Sequence, residues 1–137
     1  MKSDEELKRA FKLFIDEGNI IYLDILEYEK DPEDNGRMME LIRDDFIKIF
    51  NENPKKIYNI IADLSPIGKI NRSGFSSKTR RVGYQLMIQE QIGKSAVVTP
   101  SLFIRAVMGF IITATKKSEI IKCFLTKEKA LKWIKEK

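Results

Sequence analysis

The hydrophobic pattern of the first thirty residues is that of two β-strands. Apolar and polar side chains alternate over residues 10–15 and again over residues 20–28, with the period of two that a half-buried strand shows. Between them, Glu17-Gly18-Asn19 is a turn sequence. The two runs therefore predict an antiparallel hairpin.

Downstream of the hairpin, stretches of helical period alternate with short apolar runs. Helices are predicted over residues 34–53, 73–92 and 101–115, followed by a terminal helix capped by Thr126. The apolar runs at residues 57–62, 95–98 and 120–125 are typical of strands covered on both faces. The order β-β-α-β-α-β-α-β-α predicts an α/β fold with a mostly parallel five-stranded sheet, an antiparallel edge hairpin and four helices. We expect a single domain over residues 1–137, with residues 1–9 as a flexible N-terminus.

Boundary residues of two of these helices can also be predicted. Ser73 is a natural N-cap for the helix over residues 73–92, and Gly93 suits its C-terminal end. Thr99 followed by Pro100 predicts the start of the next helix, because threonine caps well and proline is tolerated in the first turn.

The helix over residues 101–115 is apolar around most of its circumference. One face carries most of its large side chains, while Ile104, Met108 and Ile112 lie nearly opposite. A helix of this kind must be buried on more than one side. These three residues are therefore candidates for a ligand pocket or a homodimer interface, with packing in a thick core as the alternative.

Composition excludes several kinds of chemistry. The 137 residues include no histidine and one cysteine, so Ser-His-Asp and Cys-His catalysis and the commonest zinc ligand are absent. We predict no enzymatic activity, no cofactor and no metal. The first residues lack the apolar core of a signal peptide, and the longest nearly apolar run, residues 102–114, is too short to cross a membrane. A cytoplasmic protein without a transmembrane segment is expected.

Charge is distributed unevenly along the chain. Residues 1–63 contain ten basic and sixteen acidic residues, whereas residues 64–118 contain nine basic residues and one acidic residue. A basic surface built from Lys69, Lys78, Arg80 and Arg81 would attract phosphate, nucleic acid or an anionic membrane. Nucleic acid is the less favoured partner, because no aromatic residues interleave these cations. Alternatively, the acidic and basic segments pack together and partly cancel.

The junction after the predicted strand at residues 57–62 is a candidate site for an anion. Asp63 and Ser65 follow the strand, and Arg72, Ser73 and Gly74 precede the next helix. Backbone N–H groups at a helix start bind phosphate or carboxylate groups, and a nearby guanidinium adds favourable charge. The alternative is a plain helix cap beside a solvated basic face.

Three strings make the chain resemble the SpoIIAA-like fold, which includes STAS domains and small CRAL-TRIO-like bacterial proteins. They are IIADLS, SAVVTPS and the closing IIKCFLTKEKALKWI, and the resemblance covers residues 11–134. In the anti-anti-sigma members, a serine of an Asp-Ser-Ser-Gly loop is phosphorylated by a partner kinase. Ser73 and Gly74 match that loop, whereas Asn71 and Arg72 depart from it. The CRAL-TRIO-like members imply instead an apolar pocket for a lipid or another small amphiphile.

These observations favour a non-enzymatic binding or regulatory module. Its partner would be a small apolar or anionic ligand or another protein, and it would form a homodimer. One alternative is a partner switch controlled by phosphorylation of Ser73 or Ser65. The other is binding of nucleic acid or anionic membrane through the basic surface.

Overall fold

The computed structural model describes residues 1–67 and 76–136, which form an α/β structure. The described part contains five strands: β1 (Phe11–Ile15), β2 (Ile20–Ile25), β3 (Tyr58–Asp63), β4 (Ile92–Val98) and β5 (Ile121–Phe124). It also contains five α-helices: α1 (Asp4–Lys8), α2 (Pro32–Glu52), α3 (Ser77–Met87), α4 (Leu102–Thr115) and α5 (Lys127–Lys135). A 3-10 turn over Ser65–Ile67 follows β3.

The strands lie in the sheet in the same order as in the chain, β1-β2-β3-β4-β5. The β1–β2 pair is antiparallel and the three other pairs are parallel, which confirms the predicted mixed sheet with its edge hairpin. From β2 to β5, each strand lies next to the strand that precedes it in the chain, and always in the same direction across the sheet. Because such crossovers are right-handed, α2, α3 and α4 must all lie on one face of the sheet.

Two apolar clusters cover the two faces of the sheet. The larger lies under α2, α3 and α4, with Phe46, Ile60 and Val97 among its buried members. The smaller lies under α5, where Ala130 and Ile134 pack on the sheet.

A helix that the sequence prediction omitted lies at the N-terminus, so the expected count of four helices is wrong. In α1, Ser3 and Glu6 form a capping box, and Leu7 is 0% exposed against the larger cluster. Arg37 of α2 forms an ion pair with Asp4 at 2.8 Å. Burial of one leucine and this ion pair hold part of the segment that we expected to be flexible.

The start of α3 differs from the sequence prediction. The N-cap is Ser76, whose Oγ accepts a hydrogen bond of 3.2 Å from the N–H of Thr79. The predicted cap, Ser73, lies outside the described residues. Ser76 and Ser73 are both good capping residues, so local preference alone does not choose between them.

The end of α3 differs as well, because the helix stops at Met87 and Gly93 lies inside β4. A Cβ at Gly93 would lie only 2.7 Å from Oδ1 of Asn59, and the same oxygen accepts a hydrogen bond from the N–H of Lys94 at 2.9 Å. The glycine therefore permits close approach of two strands beside a register shift, rather than ending a helix.

The N-cap of α4 is Ser101 rather than Thr99. Ser101 Oγ accepts from the N–H of Ile104 at 3.2 Å, and Thr99 Oγ1 accepts from the N–H of Ser101 at 3.1 Å. Two hydroxyl groups thus accept from the backbone N–H groups of Ser101 and Ile104, and Pro100 precedes the helix instead of opening it. Within the described ranges, no helix is both long and apolar enough to cross a bilayer.

Candidate functional site

A cavity of about 150 Å³ lies between the sheet and helices α2, α3 and α4. Its floor includes Leu23, Ala62 and Val97, which are neighbours across β2, β3 and β4. Its walls include Met38 of α2 and Leu86 of α3. Nearly all of the lining that the described residues supply is hydrocarbon, so the space suits apolar groups better than ions.

Small residues explain why the space is not filled. Ala62 and Ser95 provide short side chains on the floor, and Gly83 provides none on the wall. A Cβ added at Gly83 would meet no atom within 4 Å. The backbone of α4 also approaches its neighbouring elements at fewer positions than the backbones of α2 and α3 approach each other. The interior is therefore underpacked beneath α4, in contrast to the dense packing of most cores.

One polar atom in the cavity lining lacks a partner. Ser95 is 2% exposed, and its Oγ makes no hydrogen bond to any described residue. The other buried polar pair of the lining is satisfied, because Thr79 Oγ1 donates to Asn35 Oδ1 at 2.9 Å and Asn35 Nδ2 donates to the Glu29 carbonyl at 3.0 Å. Since an unpaired buried hydroxyl is costly, the Ser95 hydroxyl marks a position where a ligand atom would be stabilised.

The residues predicted for a pocket or dimer face are placed on the inner side of α4. Ile104 (1% exposed) and Met108 line the cavity, together with Val107 and Ile111. Ile112 is half-buried and packs against the larger cluster without lining the cavity. The homodimer stays a prediction.

The candidate anion site lies only in part within the described residues. Asp63 Oδ1 accepts hydrogen bonds from Ser65 Oγ at 2.6 Å and from the N–H of Ser65 at 3.0 Å. The carboxylate therefore already accepts from both hydrogen-bond donors of Ser65, and its negative charge would repel an anion at this strand end. Arg72, Ser73 and Gly74 lie outside the described residues, so an anion site or a phosphorylated serine at those positions stays a prediction.

The structure describes only part of the candidate basic surface, and one of the described cations is paired with a carboxylate. Lys78 forms an ion pair of 2.8 Å with Glu40 of α2, and the hydrogen bond from Lys78 is the main reason why the pKa of Glu40 lies below its ordinary value. Arg80 and Arg81 are exposed, and neither forms an ion pair with another described residue. Lys69 lies outside the described residues.

Beside the two arginines, a groove separates α3 from α4. Arg80, Arg81 and Tyr84 line it on α3, and Phe110 lines it on α4. Phe110 is 77% exposed and Leu102, at the start of α4, is 80% exposed. Arg80, Val107 and Ile111 line the groove and the inner cavity alike, so the groove adjoins the cavity.

The single cysteine does not provide a reactive group. Cys123 is half-buried against the larger cluster, and burial raises the pKa of its thiol although Arg105 acts in the opposite direction. At neutral pH the thiol is protonated and is a poor nucleophile. Across residues 1–67 and 76–136, no cluster of three or more carboxylate and thiol groups is close enough to hold a metal ion.

Sequence reasoning missed the polar residues of the cavity. Ser95 was assigned to an interior strand without regard to its hydroxyl, although a serine among apolar neighbours in such a strand is a usable signal. Asn35 and Thr79 are 44 positions apart, and nothing in their local sequence predicts their hydrogen bond.

Searches for similar proteins found no match among family models, curated proteins or solved structures.

Proposed function

We propose that this chain is a non-enzymatic binding protein of the SpoIIAA-like fold, whose cavity between the sheet and helices α2–α4 holds a small apolar molecule. The observation that carries the proposal is an apolar cavity of about 150 Å³ with an unpartnered hydroxyl in its lining. Apolar cavities of roughly this size in other proteins stay dry and bind benzene. Their occupation restores dispersion contacts that an empty cavity forfeits.

A binding role suits the chemistry of the lining better than catalysis does. Among the described lining residues the only charged side chain is Arg80, and the others with polar groups are Ser95, Asn35, Thr79 and the thioether-bearing methionines. General acid–base catalysis needs a group that exchanges protons near neutral pH. None of these side chains does so, and the lining therefore favours retention of a ligand without its conversion.

Benzene is a suitable first probe, and a matched pair of substitutions tests where it binds. Ala62→Leu adds a larger side chain to the cavity floor, whereas Ala106→Leu makes the same change on the exposed side of α4. We expect benzene to raise the melting temperature of the wild-type protein and of the Ala106→Leu variant, but not of Ala62→Leu. Amide chemical shifts in NMR spectra would show whether the perturbed residues line the cavity.

Native mass spectrometry of protein purified from cells complements this experiment. It would show a bound molecule small enough for the cavity in the wild type and none in Ala62→Leu. No benzene binding by the wild type, or equal binding by the two variants, would contradict the proposed function.

A second candidate function is attachment to an anionic membrane surface. The specific observation is the exposure of Phe110 beside Arg80 and Arg81 along the α3–α4 groove. Apolar side chains that protrude among cations suit the boundary between acyl chains and anionic headgroups. This surface adjoins the cavity, so the two functions are compatible.

A further inference from the structure

We infer that the molecule held in the cavity is uncharged and carries a hydroxyl or carbonyl group that is hydrogen-bonded to Ser95 Oγ. This inference rests on the binding function proposed above and assigns a chemical class to the ligand. It concerns small neutral alcohols, phenols, ketones and aldehydes about the size of one aromatic ring.

The position of Ser95 in the sheet explains why its side chain lies on the face that borders the cavity. Its N–H donates to the carbonyl of Ile120 at 2.6 Å, so the backbone is fixed in the ladder. Side chains alternate along a strand, and Val97, two residues on, belongs to the cluster under α2–α4. The side chain of Ser95 therefore lies on the same face as the cavity, whose lining it joins.

The neighbours of Ser95 explain why the hydroxyl is left without a partner. The residues that pair with it on β3 and β5 are Ile60 and Ile121, and neither side chain can accept or donate a hydrogen bond. Elsewhere in the described chain the buried hydroxyls of Thr79, Thr99 and Ser101 are hydrogen-bonded. Ser95 Oγ is thus an exception among the buried hydroxyls of the described residues.

The lining explains why the ligand is neutral. A charged group next to Ser95 would be transferred from water into hydrocarbon surroundings without a counter-charge, which is far more costly than transfer of a hydroxyl that gains one hydrogen bond. The single charged side chain of the described lining, Arg80, is exposed and shared with the outer groove. Since a serine hydroxyl both donates and accepts, it can bind either a hydroxyl or a carbonyl group.

Phenol and toluene form a matched pair of probes, because they have almost the same shape and differ in the group that would meet Ser95. Calorimetric titration of both into the wild type and into Ser95→Ala isolates the hydrogen bond. We expect the substitution to weaken phenol binding about 3- to 10-fold, the range for one neutral hydrogen bond. Toluene should bind the variant as tightly as the wild type, or more tightly.

Further variants keep the experiment decisive. Ser95→Cys changes the volume little and replaces the hydroxyl by a weak hydrogen-bonding group, so it should also weaken phenol selectively if Ser95→Ala does not fold. Benzoate tests the alternative that the polar contact is with Arg80. Tighter binding of benzoate than of phenol, weakened by Arg80→Gln and insensitive to Ser95→Ala, would overturn the inference.

The remaining outcomes separate this inference from the proposed function. If Ser95→Ala weakens phenol and toluene equally, or affects neither, the cavity binds ligands but Ser95 does not select them, and the inference fails alone. If the wild type binds neither probe, the proposed function fails and the inference with it. Ala62→Leu should abolish binding of both probes whatever their polarity.

Discussion

Ser95 and Ser101 are both 2% exposed, yet their hydroxyl groups are in opposite states. Ser101 Oγ accepts from the N–H of Ile104 and begins α4, whereas Ser95 Oγ has no partner among the described residues. Burial alone therefore does not show whether a polar side chain stabilises the protein. The presence of a hydrogen-bond partner determines the effect on stability. A buried hydroxyl without a partner loses its hydrogen bonds to water and gains none in the protein.

The same substitution at these two serines should have opposite effects on stability. We expect Ser95→Ala to raise the free energy of unfolding of the ligand-free protein by about 1 kcal/mol, since it removes an unsatisfied buried group. Ser101→Ala should lower it by about 1 kcal/mol, as loss of an N-cap does. Urea denaturation of ligand-free protein measures both. A loss of stability in Ser95→Ala would mean that the hydroxyl is already satisfied without a ligand.

At the scale of elements, the β1–β2 hairpin depends on one turn carboxylate. Asp16 Oδ1 accepts from the N–H groups of Gly18 and Ile20 at 2.9 and 3.0 Å, and Oδ2 accepts from the Tyr22 hydroxyl at 3.0 Å. Burial, the largest single influence, raises the pKa of Asp16, but these three hydrogen bonds and the positive charge of Lys135 together outweigh it and hold the pKa below its ordinary value. The charged form is thus part of the folded turn.

This lowered pKa predicts how the stability of the hairpin depends on pH. The folded-state pKa lies below the unfolded value of about 3.9, so the stabilisation is complete above that value and is lost as the pH falls through the folded-state pKa. Asp16→Asn should lower the melting temperature at pH 7 by roughly 3–5 °C and flatten its fall below about pH 4. Glu17→Gln, which removes a charge from the same turn, is the control. Equal pH profiles for wild type and Asp16→Asn would refute this role.

The elements themselves were largely predictable, while their boundaries were not. The alternation over β1 and β2 and the apolar runs of β3 to β5 depend on local sequence, and all five strands were expected. The predicted end of α3 was wrong because Gly93 allows β4 to approach Asn59 closely, and Asn59 lies 34 positions earlier in the chain. Short helices such as α1 are missed because few residues carry their periodicity, although the Ser3–Glu6 capping box was a usable signal.

At the scale of the whole molecule, the acidic and basic segments partly neutralise each other. Lys78 of the basic segment pairs with Glu40 of the acidic segment at 2.8 Å. Arg80 and Arg81 stay exposed beside Phe110, which places positive charge next to apolar area in the α3–α4 groove. The surface relevant to a membrane is therefore smaller than the charge pattern of the sequence suggested.

Vesicle binding tests this surface. We expect the protein to co-sediment with phosphatidylglycerol vesicles but not with phosphatidylcholine vesicles, and less so as salt is raised. Arg80→Gln should weaken binding about 5-fold, corresponding to about 1 kcal/mol per cation near an anionic surface. Phe110→Ser should weaken it further, whereas Ile57→Ser, which changes an exposed apolar residue just before β3, should have no effect. Equal binding to both kinds of vesicle, or insensitivity to Arg80→Gln and Phe110→Ser, would count against membrane attachment.

The sequence by itself determined the α/β class and the mostly parallel sheet with its antiparallel hairpin, because strand and helix periodicity are local properties and alternating units imply parallel crossovers. It also singled out one face of α4 that includes Ile104 and Met108, and left open whether that face meets a pocket, a second subunit or the core. Only the tertiary structure decided that this face borders a cavity, that Lys78 is paired with Glu40, and that Ser95 Oγ has no hydrogen-bond partner among the described residues. Each of these features depends on contacts between residues far apart in the chain, and such contacts exist only once the helices have packed on the sheet.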